Sequence, residues 1–323
     1  MGAYTVRRLI GAIPILFIGL TLTFFLVHLV PGDPTLRFLD PSMGSSLKEQ
    51  ISEKFGLNEP LHIQYISWMY RIVGHFDFGN SFNNGRPASD IILDALPPTI
   101  LVMGFALICG LMFGMIGGIG AAIFHGTKFD LIITTIMLFF YSMPVFWLGI
   151  MLLGFFAVNL NWLPASQLTS VFHDQLNILD RFTDYFRHLM LPVITLGLVS
   201  AATFGRYLRT SMIEAMNSGY VLAARARGIS EWKILVNYGL RNALIPLITI
   251  VGMTIPALFS GAVIIEVVFS LPGMGRIMVE AVLARDYPVV LAASTMAFVA
   301  VIIGNLLADI GYAIADPRVR LES

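Results

Sequence analysis

Apolar residues along the chain are concentrated in six long runs, which are separated by more polar segments. Each run approaches or exceeds the roughly 20 residues that an α-helix needs to cross about 30 Å of hydrocarbon. The pattern therefore predicts six membrane-spanning helices, at residues 9–30, 99–124, 131–158, 189–208, 244–269 and 289–312. The third run is the longest and contains Pro144, which lacks a backbone donor. We therefore expect this span to tilt or kink.

The longest polar segment, residues 31–98, lies between the first and second runs. Within it, SLKEQISEKFGL and LHIQYISWMYRIVGHF place apolar residues at a spacing of three to four, which is typical of amphipathic helices. We expect these helices to cap the membrane surface, in preference to forming a separate binding module. No sequence repeat of roughly 20 to 50 residues is found. Residues 1–323 are therefore predicted to form a single membrane domain.

The distribution of lysine and arginine predicts the orientation of the chain. If the amino terminus is cytoplasmic, the inner segments contain Arg7, Arg8, Lys128, Arg206, Arg209, Arg225, Arg227, Lys233, Arg241, Arg318 and Arg320. The short outer loops then contain only Arg181, Arg187, Arg276 and Arg285. This asymmetry predicts that both termini are cytoplasmic and that residues 31–98 are extracytoplasmic. The first run is too long for a signal sequence and lacks a cleavage pattern, so we interpret it as a helix of the mature protein.

Composition identifies the class of protein. Hydrophobic residues form 57% of the chain, charged residues form 12%, and the mean hydropathy is +0.80, which is typical of an integral membrane protein. The formal net charge is zero, so no general attraction to nucleic acid is expected. Cys109 is the single cysteine, which excludes an internal disulfide and a cysteine-based metal cluster.

Motifs for catalysis are absent from the sequence. We find no phosphate-binding loop, no H-E-x-x-H and no G-x-S-x-G, so we expect no enzymatic activity and no cofactor bound by this chain. The histidines have no partner at ligand spacing, and no metal site is predicted; they are His28, His62, His75, His125, His173 and His188.

Three ionisable residues lie within the apolar runs, where burial of a charge is costly and often marks function. They are His28, Glu266 and Asp309. All three lie near the ends of their runs, where a side chain can reach the interface or a neighbouring helix. We therefore interpret them as structural, and no proton relay can be drawn from them.

Small residues point to two contact surfaces. Gly110, Gly114 and Gly118 repeat every four residues, so they share one helix face and predict close packing against another helix. The second surface lies in VLAARARGISEWKILVNYGLRNALIP, at residues 221–246. This stretch belongs to the predicted cytoplasmic loop, residues 209–243.

The stretch at 221–246 predicts a helix, a turn and a second short helix. Gly228 suits a left-handed helix end, and Ser230 is placed to accept a hydrogen bond from the first amides of a helix over Glu231–Tyr238. A loop that served only to set topology would not need small residues at such a turn. We therefore expect a partner to dock here, with the interface formed by Ala223, Ala224, Arg225, Arg227, Gly228, Ile229 and Ser230.

The AA-x-x-x-G pattern at Ala223, Ala224 and Gly228 resembles the cytoplasmic EAA loop of ABC-importer permeases, although this chain has Leu222 where the general pattern has glutamate. RNALIP at residues 241–246 is similar to the peptide and nickel branch of that family. Four further segments resemble the dipeptide and oligopeptide permeases: PGDP at 31–34, DFGNSFNNGRP at 77–87, FSLPGMGRIMVEAVLARDYPVV at 269–290 and DPRVR at 316–320.

The resemblance implies an all-α integral membrane protein with the six-helix fold of type I ABC-importer permeases and an extracytoplasmic loop domain between helices 1 and 2. It also implies a bacterial or archaeal cell membrane as the location. The implied partners are a second related permease, two ABC ATPase subunits that bind ATP and Mg²⁺, and an extracytoplasmic substrate-binding protein. The ATPase subunits would seat the loop that contains Gly228.

Alternatives remain open for both cargo and class. Peptides are the cargo that the resemblance favours, while nickel chelates, glutathione and oligosaccharides are carried by related importers. A secondary transporter or channel is a rival class, although inverted repeats and central charges, which are typical of secondary transporters, are not detectable. A membrane enzyme would need paired catalytic groups, and a scaffolding protein would leave the loop at 221–246 unexplained. The GRP and LPGMGR segments are explained by tight turns as readily as by contact with a binding protein.

Overall fold

The computed structural model describes residues 2–29 and 58–315, and these two ranges are mainly helical. PGDP, SLKEQISEKFGL and DPRVR lie outside the described residues. The helices are α1 (Gly2–Leu29), α2 (Leu61–His75), α3 (Ala88–Ile123), α4 (Lys128–Ser142), α5 (Val145–Leu152), α6 (Ile178–Met216), α7 (Gly219–Ala226), α8 (Glu231–Ile234), α9 (Arg241–Thr254), α10 (Ala257–Ser260), α11 (Val263–Val268), α12 (Met274–Ala284) and α13 (Tyr287–Ala315). π-Helical turns follow α5 at Leu153–Asn159 and α8 at Leu235–Leu240.

Within the described ranges, five helical stretches are long and apolar enough to cross a membrane, and a bent pair provides a sixth. The bent pair is α4 with the stretch from α5 to Asn159, and the two parts meet at 100°. The bend lies at Met143 and Pro144, between the two helices. Pro144 begins the second part because a proline ring is compatible with a helix start but lacks the amide that would continue α4.

The fifth apolar run, residues 244–269, is divided in the structure, so the prediction of one helix over this run was wrong. The helical stretch that begins at Glu231 ends at Phe259, and α11 begins after Gly261. Gly261 has φ +81°, a backbone conformation that residues with a side chain rarely adopt. The chain therefore turns at Gly261, and α11 and α12 form a separate helical segment.

Helices α3 and α6 form the closest helix pair. Gly110, Gly114 and Gly118 are buried on the face of α3 that contacts α6. A Cβ atom built at Gly118 would lie 2.6 Å from the carbonyl oxygen of Gly205 on α6. The two backbones therefore touch directly, as small-residue helix faces allow. The loops at both ends of α3 and α6 are connected to this closely packed pair.

Helix α2 packs on α1 and α13 as an amphipathic cap. Its buried residues Trp68 and Ile72 pack in one cluster with Phe24 of α1 and Leu291 of α13. The opposite face of α2 is apolar but exposed, at Ile66, Tyr70 and Val73. A helix with one face packed on spanning helices and a second apolar face left open is suited to lie in the membrane interface.

Candidate docking loop and outer polar clusters

The docking loop, residues 217–240, links α6 to α9 through two short helical elements. Helix α7 begins after Ser218, whose hydroxyl donates to the carbonyl of Ala215 at 2.6 Å. Helix α8 continues through the π-helical turn into α9 without a break. The second helix is therefore not the separate short helix that the sequence predicted. It is the first part of the fifth candidate span, the continuous helical stretch Glu231–Phe259.

Gly228 closes the turn between α7 and α8. Its φ is +76°, and its amide donates to the carbonyl of Arg225 at 2.9 Å. The next amide, that of Ile229, donates to the carbonyl of Ala224 at 3.3 Å. This pattern is the left-handed helix end that the sequence predicted, and it satisfies carbonyls that the end of α7 leaves open.

Ser230 occupies the position before α8, but its side chain makes no capping hydrogen bond. The prediction that the Ser230 side chain accepts a hydrogen bond from the first amides of this helix was therefore wrong. An ion pair between the two helices is present instead: Arg225 donates to Glu231 through Nε at 2.9 Å and through Nη2 at 3.2 Å. This bidentate hydrogen bond raises the pKa of Arg225 and links α7 to α8 across the turn.

A small apolar core supports the loop from within. Val221, Ala224 and Ile234 are fully buried, and Met216 and Tyr238 pack around them. Ala224 therefore faces the inside of the loop, so its side chain is unavailable to a partner, whereas Ala223 is exposed. A larger residue at Ala224 would displace Val221 and Ile234 from this core. It would therefore change the loop itself and would not contact a partner directly.

The outward surface of the docking loop includes two apolar side chains that sequence reasoning missed. Leu222 is 68% exposed and Trp232 is 71% exposed. Arg225, Arg227 and Gly228 are exposed on the same loop. A tryptophan among the charged residues Arg225, Arg227 and Lys233 could have revealed part of this surface from the sequence. Exposed tryptophan beside arginine is the composition that interface hot spots favour.

A buried carboxylate fixes the helix ends next to the docking loop. Asp130 of α4 accepts from Arg209 of α6, through Nε at 2.7 Å and Nη2 at 2.8 Å. It also accepts from the amide of Gly126 at 3.0 Å and lies 3.0 Å from His125 Nδ1. The Arg209–Asp130 pair therefore holds the turn between α3 and α4 against the long helix that leads into the loop.

The opposite end of the molecule contains a buried carboxylate without an ionic partner in the described ranges. Glu266 of α11 is 2% exposed and accepts from the hydroxyl of Thr99 at 2.9 Å and from the amide of Arg276 at 3.0 Å. Thr99 in turn accepts from the amide of Met274 at 2.8 Å. Gly273 completes the cluster, because a Cβ there would lie 2.5 Å from the Glu266 carboxyl carbon.

This first outer cluster, defined by Glu266, Thr99, Met274, Arg276 and Gly273, explains the LPGMGR motif. The glycine next to the carboxylate permits close backbone approach, and the amides that follow donate to Glu266 and Thr99. The cluster ties α3, α11 and α12 together. Glu266 therefore has a structural role in the described residues, because it accepts hydrogen bonds from α3 and from α12.

A second outer cluster joins two motifs that are about 200 residues apart. Asp286 is 3% exposed and accepts from the Ser81 hydroxyl and from the amides of Phe82 and Asn83, at 2.5, 3.0 and 3.3 Å. Asp286 precedes α13, while Ser81 belongs to DFGNSFNNGRP. The buried Asp286 carboxylate thus holds the segment at Ser81 to Asn83 against the start of α13.

A third outer carboxylate, Asp184 of α6, supports the loop before that helix. It accepts from the amide of Ser170 at 2.9 Å and lies 2.7 Å from His173 Nδ1. His188 Nδ1 lies 3.3 Å from its other oxygen. No group of three or more potential ligands in the described ranges could hold a metal ion.

Two ionisable candidates remain, His28 and Asp309, and only the side chain of His28 is described. His28 Nδ1 lies 2.8 Å from the carbonyl of Phe24, and the two rings stack at 4.1 Å. Asp309 lies within α13, but its side chain is not among those described. Cys109 packs against α6, because a Cβ at Gly197 would lie 2.7 Å from its sulfur.

Comparison with known proteins gives consistent matches over the whole chain. Residues 110–321 match the model of the binding-protein-dependent transport system inner membrane component, and residues 1–103 match the N-terminal model of the corresponding membrane component. The chain is 39% identical over 321 residues to the oligopeptide transport system permease protein AppB of Bacillus subtilis, covering 99% of both chains. It is 35% identical over 319 residues to the glutathione transport system permease protein GsiC of Escherichia coli K12, again with 99% of both chains.

Among solved structures, the fold is similar to a chain in inward-facing crystal forms of the MetNI methionine ABC transporter. The TM-score is 0.52 at 16% identity, and the match covers 70% of this chain and 96% of the other. At this identity the likeness concerns the fold alone.

Proposed function

The chain belongs to the family of binding-protein-dependent transport system inner membrane components, and from this premise we propose that it forms half of the path for peptides through an ABC importer. Membership makes it a membrane permease subunit. The observation that carries the proposal of peptide cargo is the 39% identity to an oligopeptide permease over nearly the full length of both chains. The glutathione permease relative supports the same chemical class, because glutathione is itself a small peptide.

Energy for transport is proposed to come from two partner ATPase subunits that bind ATP and Mg²⁺. The sequence has no phosphate-binding loop, and the docking loop offers exposed Leu222 and Trp232 on a small rigid core. The proposed docking surface comprises Leu222, Ala223, Arg225, Arg227, Gly228, Ile229, Ser230 and Trp232, with Ala224 supporting it from inside. Since α8 continues into the fifth span, ATPase closure can move that span as a lever. Such coupling requires the ATPase subunits to bind the inward-open and outward-open states with different affinity.

The proposed orientation places both termini and the docking loop in the cytoplasm, at the inner membrane. Arg206 and Arg209 lie near the end of α6 that leads into the docking loop. Arg181 and Arg187 lie near its beginning. Helix α6 thus has basic residues at both ends. The docking loop follows the second of these ends and contains further basic residues, so the positive-inside rule favours a cytoplasmic position for that end.

The bent pair supports the proposal that this chain provides half of a path. Non-helical backbone at membrane depth is tolerated only where protein or water covers it. At the bend, Phe139, Ser142 and Pro144 line a hollow that the described part of this chain leaves open. We propose that a second, related permease and the aqueous path cover this hollow. An extracytoplasmic binding protein would deliver the cargo to the outer face.

Co-purification tests the proposed assembly. The tagged chain is purified from its own membranes in mild detergent, and its partners are identified and counted by mass spectrometry. We expect two ATPase copies, one second permease and a binding protein. Recovery of the chain alone, or as a homo-oligomer, would instead favour the rival class of secondary transporter or channel.

The cargo is then tested on the recovered binding protein by titration calorimetry. Dipeptides, oligopeptides and glutathione are compared with nickel chelates and oligosaccharides. Binding of peptides alone supports the peptide proposal. Binding of a chelate or a sugar with no peptide binding would reject it while leaving the assembly intact.

A further inference from the structure

The outer end of α6 has an inverted distribution of side chains. One carboxylate and two histidines are turned inward: the side chains of Asp184, His173 and His188 are only 12%, 13% and 9% exposed. The large apolar side chains of the same segment face outward and are 56% to 87% exposed. An ordinary exposed helix end has the opposite arrangement. We call these apolar side chains the outer apolar face; they are Val171, Phe172, Ile178, Leu179, Phe182 and Phe186.

The inward polar groups fix the shape of the outer apolar face. Asp184 accepts from the amide of Ser170 at 2.9 Å and lies 2.7 Å from His173 Nδ1. Arg187 donates to the carbonyl of Trp162 at 2.8 Å. The loop before α6 is therefore held along the side of the helix, with Phe172 next to the residue that contacts Asp184. A surface that is ordered in advance loses little conformational entropy when a partner binds.

The outer apolar face lies beyond the depth that lipid tails reach. Arg209 pairs with Asp130 near the other end of α6, and we take this charged pair as the inner boundary of the hydrocarbon. At 1.5 Å per residue, Phe186 is about 34 Å and Ile178 about 46 Å from Arg209 along the helix. The hydrocarbon is only about 30 Å thick, so lipid tails do not explain an apolar surface at this height.

At membrane depth, α6 is enclosed by its own chain. No residue from His188 to Arg206 is exposed. Ile178, Phe182 and Phe186 share one side of the helix with Leu189, which is buried in a core cluster of this chain. A second membrane subunit packed along α6 would need exposed residues at membrane depth as well. A partner that contacts only the outer end is therefore a protein that approaches from the aqueous side.

We propose that the outer apolar face is a docking surface for the extracytoplasmic binding protein, which meets it with an apolar patch of its own. Large exposed apolar surfaces mark sites of protein association. The family to which the chain belongs is binding-protein-dependent, so a soluble partner is expected on the outer side. This inference rests on the proposed function and adds to it the place of contact. The cluster at Asp184 keeps the surface in shape before each docking event.

Cross-linking in the assembled transporter identifies what covers the face. The photoreactive residue p-benzoylphenylalanine is placed at Phe182 and, in a separate variant, at Phe172. Both positions should cross-link to the recovered binding protein when it is added with its cargo. Phe113, an exposed phenylalanine in the middle of α3, is the matched control position and should not cross-link to the binding protein.

Affinity is measured on the same assembly by biolayer interferometry, with the cargo-loaded binding protein as the probe. The double variant Ile178→Ser, Phe182→Ser should bind it about 10-fold or more weakly, because two apolar contacts are lost from the centre of the surface. The melting temperature and the ATPase subunits retained should equal those of the wild type, since both side chains are largely exposed. Phe76→Ser changes a phenylalanine that is 79% exposed outside this surface and should leave the affinity unchanged.

The outcomes separate this proposal from the importer assignment. Cross-links from Phe182 and Phe172 to the second permease, to lipid or within the chain itself would overturn the docking surface. Unchanged affinity in the double variant would also overturn it, while binding of the wild type would leave the importer assignment intact. A wild-type assembly that binds no binding protein at all would reject both proposals together.

Discussion

The docking loop and the first outer cluster both depend on a glycine turn beside a charged residue, yet they are stabilised in opposite ways. In the outer cluster, Glu266 is buried, and neighbouring segments donate hydrogen bonds to it. In the docking loop, the Arg225–Glu231 pair is exposed, and only a small apolar core lies beneath it. The polar groups of the first outer cluster bond to one another inside the protein. In the docking loop, the charged and large apolar side chains are exposed, so a partner can contact them.

This difference predicts where mutations act. Changes in the outer cluster should lower the stability of the chain itself, because buried hydrogen-bonding groups lose their partners. Changes on the surface of the docking loop should leave stability intact and affect only the assembled transporter. The variants below test this separation in order of decreasing effect.

Glu266→Ala should have the largest effect. The Thr99 hydroxyl and the Arg276 amide would lose a buried acceptor, so the free energy of unfolding should fall by about 2–5 kcal/mol, and uptake should be lost with it. Thermal unfolding in detergent, followed by size-exclusion chromatography, measures the first effect. Glu280→Ala, which removes an exposed partner of Arg276, is the control. A melting temperature equal to that of the wild type would show that the cluster is not structural.

Gly228→Pro should abolish transport while membrane insertion is preserved. Proline is confined to φ near −65°, whereas Gly228 has φ +76° and donates a hydrogen bond from its amide. The turn between α7 and α8 must therefore change, and the docking surface changes with it. Uptake of labelled peptide in cells measures the effect. Gly219→Ala is the control, because this glycine has open space around it and no positive φ.

If Gly228→Pro transports as well as the wild type, the loop is not the site of coupling.

A bulky residue at Ala224 should also abolish transport, but by a different route. It would expand the core formed with Val221 and Ile234, so the loop itself should become more accessible to protease. Intact protection of the loop in Ala224→Trp would contradict this assignment of Ala224 to the core.

Trp232→Ala should weaken binding of the ATPase subunits about 10-fold or more, as expected for a tryptophan hot spot. Stability of the free chain should be unchanged, since the side chain is largely exposed. The amount of ATPase retained on the tagged chain at increasing dilution measures the affinity. Trp162→Ala, at an exposed tryptophan beyond the docking loop, should retain ATPase normally. Equal retention by both variants would remove Trp232 from the proposed surface.

Arg225→Ala should have the smallest effect, with uptake reduced about 2-fold or less and no detectable change in melting temperature. Exposed ion pairs contribute little because water screens them and both side chains must be ordered. Glu231→Ala in the same background should add no further loss, since the pair is already broken. Additive losses would indicate that the two residues contact the partner separately.

The sequence predicts the spans of this fold well, because the membrane imposes a minimum length on apolar helices. It also predicts the left-handed turn at Gly228, because few residues other than glycine adopt that conformation. The break near Gly261 was missed, since the residues on both sides are equally apolar and obscure the one local signal, the Ser260-Gly261 pair. The apolar run as a whole therefore predicted one continuous helix.

The position of the candidate site along the chain could be predicted from the sequence. Which of its side chains are buried and which are exposed could not. The spacing of Ala223, Ala224 and Gly228 locates the loop, but only the packing of Val221 and Ile234 shows which alanine is buried. Similarly, Glu266 is near the end of a run in the sequence. Its partner Thr99 is 167 positions away along the chain, so no local pattern could have joined them.

The bend at Pro144 also determines how the chain can be assembled during synthesis. Helix α4 has 15 residues, about 22 Å at 1.5 Å per residue, which is shorter than the hydrocarbon layer. The side chains nearest to Gly149 in α5 belong to Thr195, Ile265 and Phe269, which are synthesised after the bent segment. We expect the packing of the bent segment to be completed only after residue 269 has been made, so a chain truncated before Thr195 should leave α5 without these neighbours.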